Sequence, residues 1–162
     1  MGSAAVPYIG AVGLPKTIGL RFPPTRGRLV VAEGDKAYGR ALREALVAVS
    51  ADADEVVLTS DGAAVKKLLT RSAAEPPAAL LLDLWLPRWP GLEILRWIRE
   101  DVRLRAMPVV MLSVGADPIL RARAYELGAN SFAVKPYAPR ILARNVALMA
   151  AYWRHVNLPP VC

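Results

Sequence analysis

Apolar residues recur along this chain in two alternating rhythms. Short continuous runs occur at Leu29–Ala32, Val56-Val57-Leu58-Thr59, Ala79–Leu82, Pro108–Leu112 and Ser131-Phe132-Ala133-Val134. Such runs read as strands buried on both faces. Between them the apolar positions fall three or four apart, the spacing of one helical face. The first such stripe is Tyr38, Leu42, Ala45, Leu46 and Val49 within 37–49, and the second is Val65, Leu68 and Leu69. Leu92, Leu95 and Ile98 mark a third helix over 92–99. Asp117 caps a fourth, with Pro118 at its first position, running to Leu127 and stopping at Gly128. Pro139 opens the last, with Leu142, Val146, Met149 and Trp153 along one stripe.

Five strand–helix units in about 125 residues predict an α/β fold with helices on both faces of a parallel sheet. Right-handed crossovers restrict the topology, and the expected form is a flavodoxin-like, doubly wound, five-stranded sheet in the order 2-1-3-4-5 with five helices. The regular pattern covers 28–154 as one domain. Residues 1–27 carry four prolines, five glycines and no acidic residue, and read as an irregular, partly apolar arm. Residues 155–162 read as a tail.

The stretch Leu80-Leu81-Leu82-Asp83 runs straight from apolar strand into a carboxylate, and Pro87, Pro90 and Gly91 then make a loop. Open α/β sheets place ligand sites at the carboxyl ends of their strands. Asp83 as a cap for the next helix is disfavoured, because the helical spacing starts too late. Glu33, Ser113 and Lys135 end three other strands, so the topology brings all four residues to one sheet edge. Any one alone would merely mark a strand exit. Together they suggest phosphoryl transfer to a carboxylate, with Asp83 as nucleophile, Lys135 as cation and Ser113 as hydroxyl donor. A divalent ion, Mg²⁺ by its preference for oxygen ligands, would bridge Asp83 and the phosphoryl group.

Composition narrows the choice. With 54% hydrophobic residues the chain is not disordered. No apolar run approaches the ~20 residues of a membrane span, and the first residues lack a signal-peptide pattern. One histidine and one cysteine argue against zinc centres and Ser-His or Cys-His catalysis. A reducing cytoplasm is the expected location. The net charge of +7 comes mostly from scattered arginines, which form no single run and read as a solvated surface.

The segment 28–158 resembles the receiver domain of two-component response regulators. The resemblance rests on Glu33-Gly34-Asp35, Ser60-Asp61-Gly62, Asp83-Leu84-Trp85-Leu86-Pro87 with Gly91, Ser113, Gly128-Ala129-Asn130 and Lys135-Pro136. It implies Asp83 as phosphoacceptor, Ser113 as switch hydroxyl, Lys135 as the family's lysine and Phe132 as switch aromatic. It further implies a Mg²⁺ site from Glu33, Asp35, Asp83 and the backbone carbonyl of Trp85. The end of the chain, Ala151-Tyr152-Trp153 and Val156-Asn157-Leu158-Pro159-Pro160, is similar to phytochrome-associated response regulators. That implies a sensor histidine kinase of the bacterial phytochrome type as partner, and a homodimer through helix 4, strand 5, helix 5 and the tail. Neither DNA nor membrane is an expected partner, and no activity is expected beyond phosphoryl transfer and hydrolysis at Asp83.

Two positions depart from the family pattern. Gly34 stands where a second acid is usual, which implies weak Mg²⁺ affinity unless Asp35 substitutes. Val114 follows Ser113 where a small residue is usual, and its branched side chain is expected to crowd the acceptor. The alternative reading is a pseudo-receiver, a dimer or docking module independent of phosphorylation. A nucleotide- or flavin-binding enzyme fits poorly, because Glu33-Gly34-Asp35-Lys36 is too acidic and too poor in glycine to cradle a phosphate.

Overall fold

A computed structural model describes residues 27–50, 56–72 and 74–157. Five strands alternate with five helices: β1 (Leu29–Ala32), α1 (Lys36–Ser50), β2 (Val56–Thr59), α2 (Gly62–Arg71), β3 (Ala79–Asp83), α3 (Gly91–Glu100), β4 (Val109–Ser113), α4 (Pro118–Glu126), β5 (Ser131–Val134) and α5 (Pro139–Ala151). A π-helical turn, Tyr152–Val156, prolongs α5. The strands are all parallel, in the order β2-β1-β3-β4-β5. This is the flavodoxin-like order expected from the apolar runs.

The continuous apolar runs are explained by burial from both sides. Every residue of β1, β3 and β4 is buried. Val30, Leu80, Leu82 and Met111 face a core shared with Val65, Leu69, Ile94 and Ile98 of α2 and α3. Val31, Leu81 and Val110 face the opposite core, with Leu42 and Leu46 of α1 and Val146 and Trp153 from the last helical segment. The helix stripes lie where their spacing put them: Leu142, Val146 and Trp153 are buried and Met149 packs on the same core.

Element ends differ from the sequence expectation by single residues, for identifiable reasons. Asp83 belongs to β3 rather than following it, because Leu84 N–H still donates to Leu112 O at 3.0 Å. β4 begins one residue after Pro108, which has no N–H; its carbonyl accepts from Leu80 N–H at 2.9 Å. Asp117 caps α4 as expected, accepting from Ile119 and Leu120 N–H at 2.8 and 3.1 Å. The expected tail from residue 155 is helical as far as Val156, and residues 158–162 lie outside the described residues, as does the arm at 1–27 apart from Gly27.

The sheet edge opposite the polar strand ends is tied by Arg99, which the apolar pattern does not reveal. Its guanidinium donates to Gly128 O, Arg105 O, Met107 O and Asn130 Oδ1 at 2.9–3.1 Å. Asn130 Oδ1 also accepts from Val109 N–H at 2.8 Å. One side chain thus joins the end of α3, the start of β4 and the α4–β5 connection, using the several fixed directions that a guanidinium offers.

Candidate functional site

The ends of β1 and β3 converge on one ammonium carried by the end of β5. Lys135 Nζ lies 2.9 Å from Glu33 Oε1, 2.7 Å from Glu33 Oε2 and 3.0 Å from Asp83 Oδ2. The backbone sets this meeting. Lys135 N–H donates to Ser113 O at 2.7 Å, which continues the β5–β4 ladder, and Glu33 N–H donates to Thr59 O at 3.0 Å, which continues β1 beside β2. β3 lies between β1 and β4, so Asp83 stands between Glu33 and Ser113.

All four residues are buried: Glu33 is 1% exposed, Asp83 3%, Ser113 3% and Lys135 9%. Carboxylates so far from water need a paired cation, and Lys135 serves both. Burial, the largest influence on Glu33, raises its carboxyl above the ordinary range; the Lys135 and Asp35 hydrogen bonds oppose it. Glu33 Oε2 touches the ammonium without hydrogen-bond alignment and has no hydrogen bond of its own. Asp83 Oδ1 accepts from Trp85 N–H at 3.2 Å, which closes a local turn instead of capping α3. Ser113 Oγ accepts from Gly115 N–H at 3.3 Å, leaving its own proton to donate.

The remaining residues expected at the site occupy distinct places. Asp35 is exposed, and its Oδ1 accepts from Ala37 and Tyr38 N–H at 2.8 and 3.1 Å, so that carboxylate starts α1. Those hydrogen bonds hold Asp35 below the ordinary carboxylate range. Phe132 is half-buried, and its N–H donates to the Tyr125 hydroxyl oxygen at 3.2 Å. Trp85 is 65% exposed. Val114 is half exposed.

A divalent cation would use Asp83 and the Trp85 carbonyl, with Glu33 behind them. A Cβ at Gly34 would lie 3.0 Å from Trp85 O and 3.8 Å from Asp83 Oδ2. The side chain that Gly34 lacks therefore belongs beside those two oxygens. Among the described residues no group of three or more Asp, Glu, His or Cys is arranged around an ion. The oxygens present still fit Mg²⁺ chemistry, because that ion keeps several waters and is often held by one or two carboxylates.

A protein-family model described as the response regulator receiver domain matches residues 29–147. The chain belongs to this family. It is a receiver domain of the kind used in two-component signalling. It is 35% identical over 124 residues to the transcriptional regulatory protein GltR of Pseudomonas aeruginosa, covering 76% of this chain and 49% of that protein. The chain thus spans about half the length of the first curated relatives it matches. The phosphorylated cyanobacterial phytochrome response regulator RcpA superimposes with a TM-score of 0.76 at 29% identity, over 83% of this receiver and 99% of RcpA. The Mn²⁺-bound form of response regulator Rcp1 gives 0.72 at 26% identity over the same shares. The phytochrome-associated likeness expected from the end of the chain is therefore shared by solved structures.

The ion triad predicts a pH-dependent variant. Lys135→Met removes the contacts that lower the Glu33 pKa and keeps the burial and the Asp83 charge that raise it. A carboxyl raised in the folded state stabilises below its unfolded pKa and loses that contribution as pH rises through the folded value. At about pH 7.5 the variant should unfold in urea about 3–5 kcal/mol more easily than wild type. The deficit should shrink towards about pH 4.5, the ordinary Glu value. An equal deficit at both pH values would contradict this electrostatic account.

Proposed function

We propose that this receiver accepts a phosphoryl group on Asp83 from a sensor histidine kinase and signals by a change in partner binding. The carrying observation is a buried carboxylate at the end of the central strand with Lys135 Nζ at 3.0 Å. An Asp83 oxygen attacks phosphorus, and the bond to the donor breaks with its electron pair leaving on the donor. Lys135 meets an equatorial phosphoryl oxygen, and the Ser113 hydroxyl donates to another. Phe132 follows as the switch aromatic. Asp83 and the Trp85 carbonyl would hold a Mg²⁺ ion, which would supply positive charge to the phosphoryl oxygens. The site does no chemistry on other molecules, and the cytoplasm is its compartment. The likeness to RcpA and Rcp1 supports a kinase of the phytochrome type. The pseudo-receiver remains the second reading, favoured by Gly34 and by a Lys135 ammonium already paired with both carboxylates.

Two measurements separate these readings. Acetyl phosphate with Mg²⁺ should add one phosphoryl-sized mass to wild type and none to Asp83→Asn. A mass gain in the variant would move the acceptor elsewhere, and no gain in wild type would favour the pseudo-receiver. Gly34→Asp should tighten Mg²⁺ by about tenfold, equivalent to about 1.4 kcal/mol, as read by the fluorescence of Trp85 and Trp89. For this the Pro87 ring, 3.1 Å from the new Cβ, must give by a few tenths of an ångström. Equal affinity would show that position 34 does not face the ion.

Assembly is read from exposed apolar surface. Among the described residues, apart from Trp85 and Val102, the exposed large hydrophobics lie between Val114 and Val156, including Ile119, Tyr125, Val134, Tyr137, Ile141, Leu148 and Tyr152. Such a concentration marks an interface. A homodimer through α4, β5, α5 and the following segment buries it twice. Leu148→Asp should then run as a folded monomer in light scattering at micromolar concentration, against a dimer for wild type. A wild-type monomer, phosphorylated or not, would contradict the dimer.

A further inference from the structure

The Lys135 ammonium has a neighbour that the carboxylate chemistry does not use. The Tyr38 ring lies across it, with Nζ 5.2 Å from the ring centroid. Tyr38 is carried there by the start of α1. Asp35 Oδ1 fixes the first turn through the N–H groups of Ala37 and Tyr38. The next residue, Gly39, lets the helix settle onto β1 and β2. A Cβ there would stand 3.2 Å from Leu58 Cδ1 and 3.3 Å from Glu33 Cγ, tighter than most packed carbons tolerate.

We propose that Tyr38 is a positioning residue for Lys135, its ring face holding the ammonium in place for an incoming phosphoryl group without adding a charge. This rests on the phosphoacceptor reading of Asp83. Carboxylate oxygens of Glu33 and Asp83 flank the ammonium at 2.7 and 3.0 Å. A third carboxylate would trap the lysine against leaving for a new anion. An aliphatic side chain would give it no electrostatic partner on that side. An aromatic face attracts a cation through its quadrupole, more weakly than a carboxylate does. It therefore restrains the ammonium while leaving it free to turn toward a phosphoryl oxygen. The ring also stays neutral: burial, then the charges of Glu33 and Asp83, push the Tyr38 hydroxyl up to about 12.

The test compares Tyr38→Phe with Tyr38→Leu in the full chain. Lysine side chains carry a ¹³C label, and the Lys135 signal is assigned by its loss in Lys135→Arg. The ring face should shift the Lys135 ε-methylene protons upfield in wild type and Tyr38→Phe, and the shift should vanish in Tyr38→Leu. Phosphorylation by acetyl phosphate should slow about five- to tenfold in Tyr38→Leu, the scale of a partly desolvated cation–π contact. Tyr38→Phe should recover most of that rate, which a role in hydroxyl bonding alone would not give. A leucine variant as fast as wild type, or a phenylalanine variant as slow as leucine, overturns the proposal. Wild type that gains no phosphate ends the phosphoacceptor reading instead. The ring-current shift is read without any phosphodonor, so a Lys135 signal alike in wild type and Tyr38→Leu still overturns the pairing.

Discussion

Two buried carboxylates share one ammonium, and much of the site's architecture serves that contact. Glu33 and Asp83 sit almost out of water, where unpaired like charges would repel strongly and resist ionisation. Lys135 makes their proximity tolerable, and it can do so only because β1, β3, β4 and β5 end at the same edge in the order found. The apolar runs are thus more than a core. By fixing strand register, Leu29–Ala32, Ala79–Leu82 and Val109–Leu112 decide which polar side chains meet. Ser113, at the end of β4, is buried at the same edge.

Gly34 changes the charge balance of this pocket. With Glu33, Asp83 and Lys135 ionised, the three carry one net negative charge among them. A second acid at position 34 would add another beside the Trp85 carbonyl. Without it a divalent cation would meet one carboxylate fewer, and Lys135 is the cation that the two carboxylates already share. The same feature therefore bears on both readings of the chain, as a metal-binding receiver or as a module whose two carboxylates are held by Lys135 alone.

Much of this was legible in the sequence, because period and punctuation report strands and helices directly. The alternation of five apolar runs with helical stripes pointed to the sheet order, and in that order Asp83 after Leu80-Leu81-Leu82 and Lys135-Pro136 after the fifth run pointed to the convergence of the polar ends. Less legible were contacts made by packing between elements. Asp35 reads as a spare metal ligand by its position in the chain, while its Oδ1 is engaged in starting α1. Nothing in the spacing of Tyr38 shows its ring lying over Lys135; that follows from how closely Gly39 lets α1 approach. Arg99 looks like one more surface arginine until its four acceptors, gathered from distant parts of the chain, are seen together. The π-helical turn after α5 likewise leaves no mark in the apolar stripe, since Trp153 reaches the core either way.

The central claim is that Glu33 and Lys135 are energetically one unit. A double-mutant cycle with Glu33→Gln, Lys135→Met and the double variant tests it most directly, with stability read from urea unfolding at neutral pH. The account predicts that the double variant is less destabilised than the sum of the single variants, by more than about 1 kcal/mol, because Lys135→Met alone orphans two buried carboxylates and the double variant orphans only Asp83. Additivity within about 0.5 kcal/mol, the behaviour of independent sites, would contradict it.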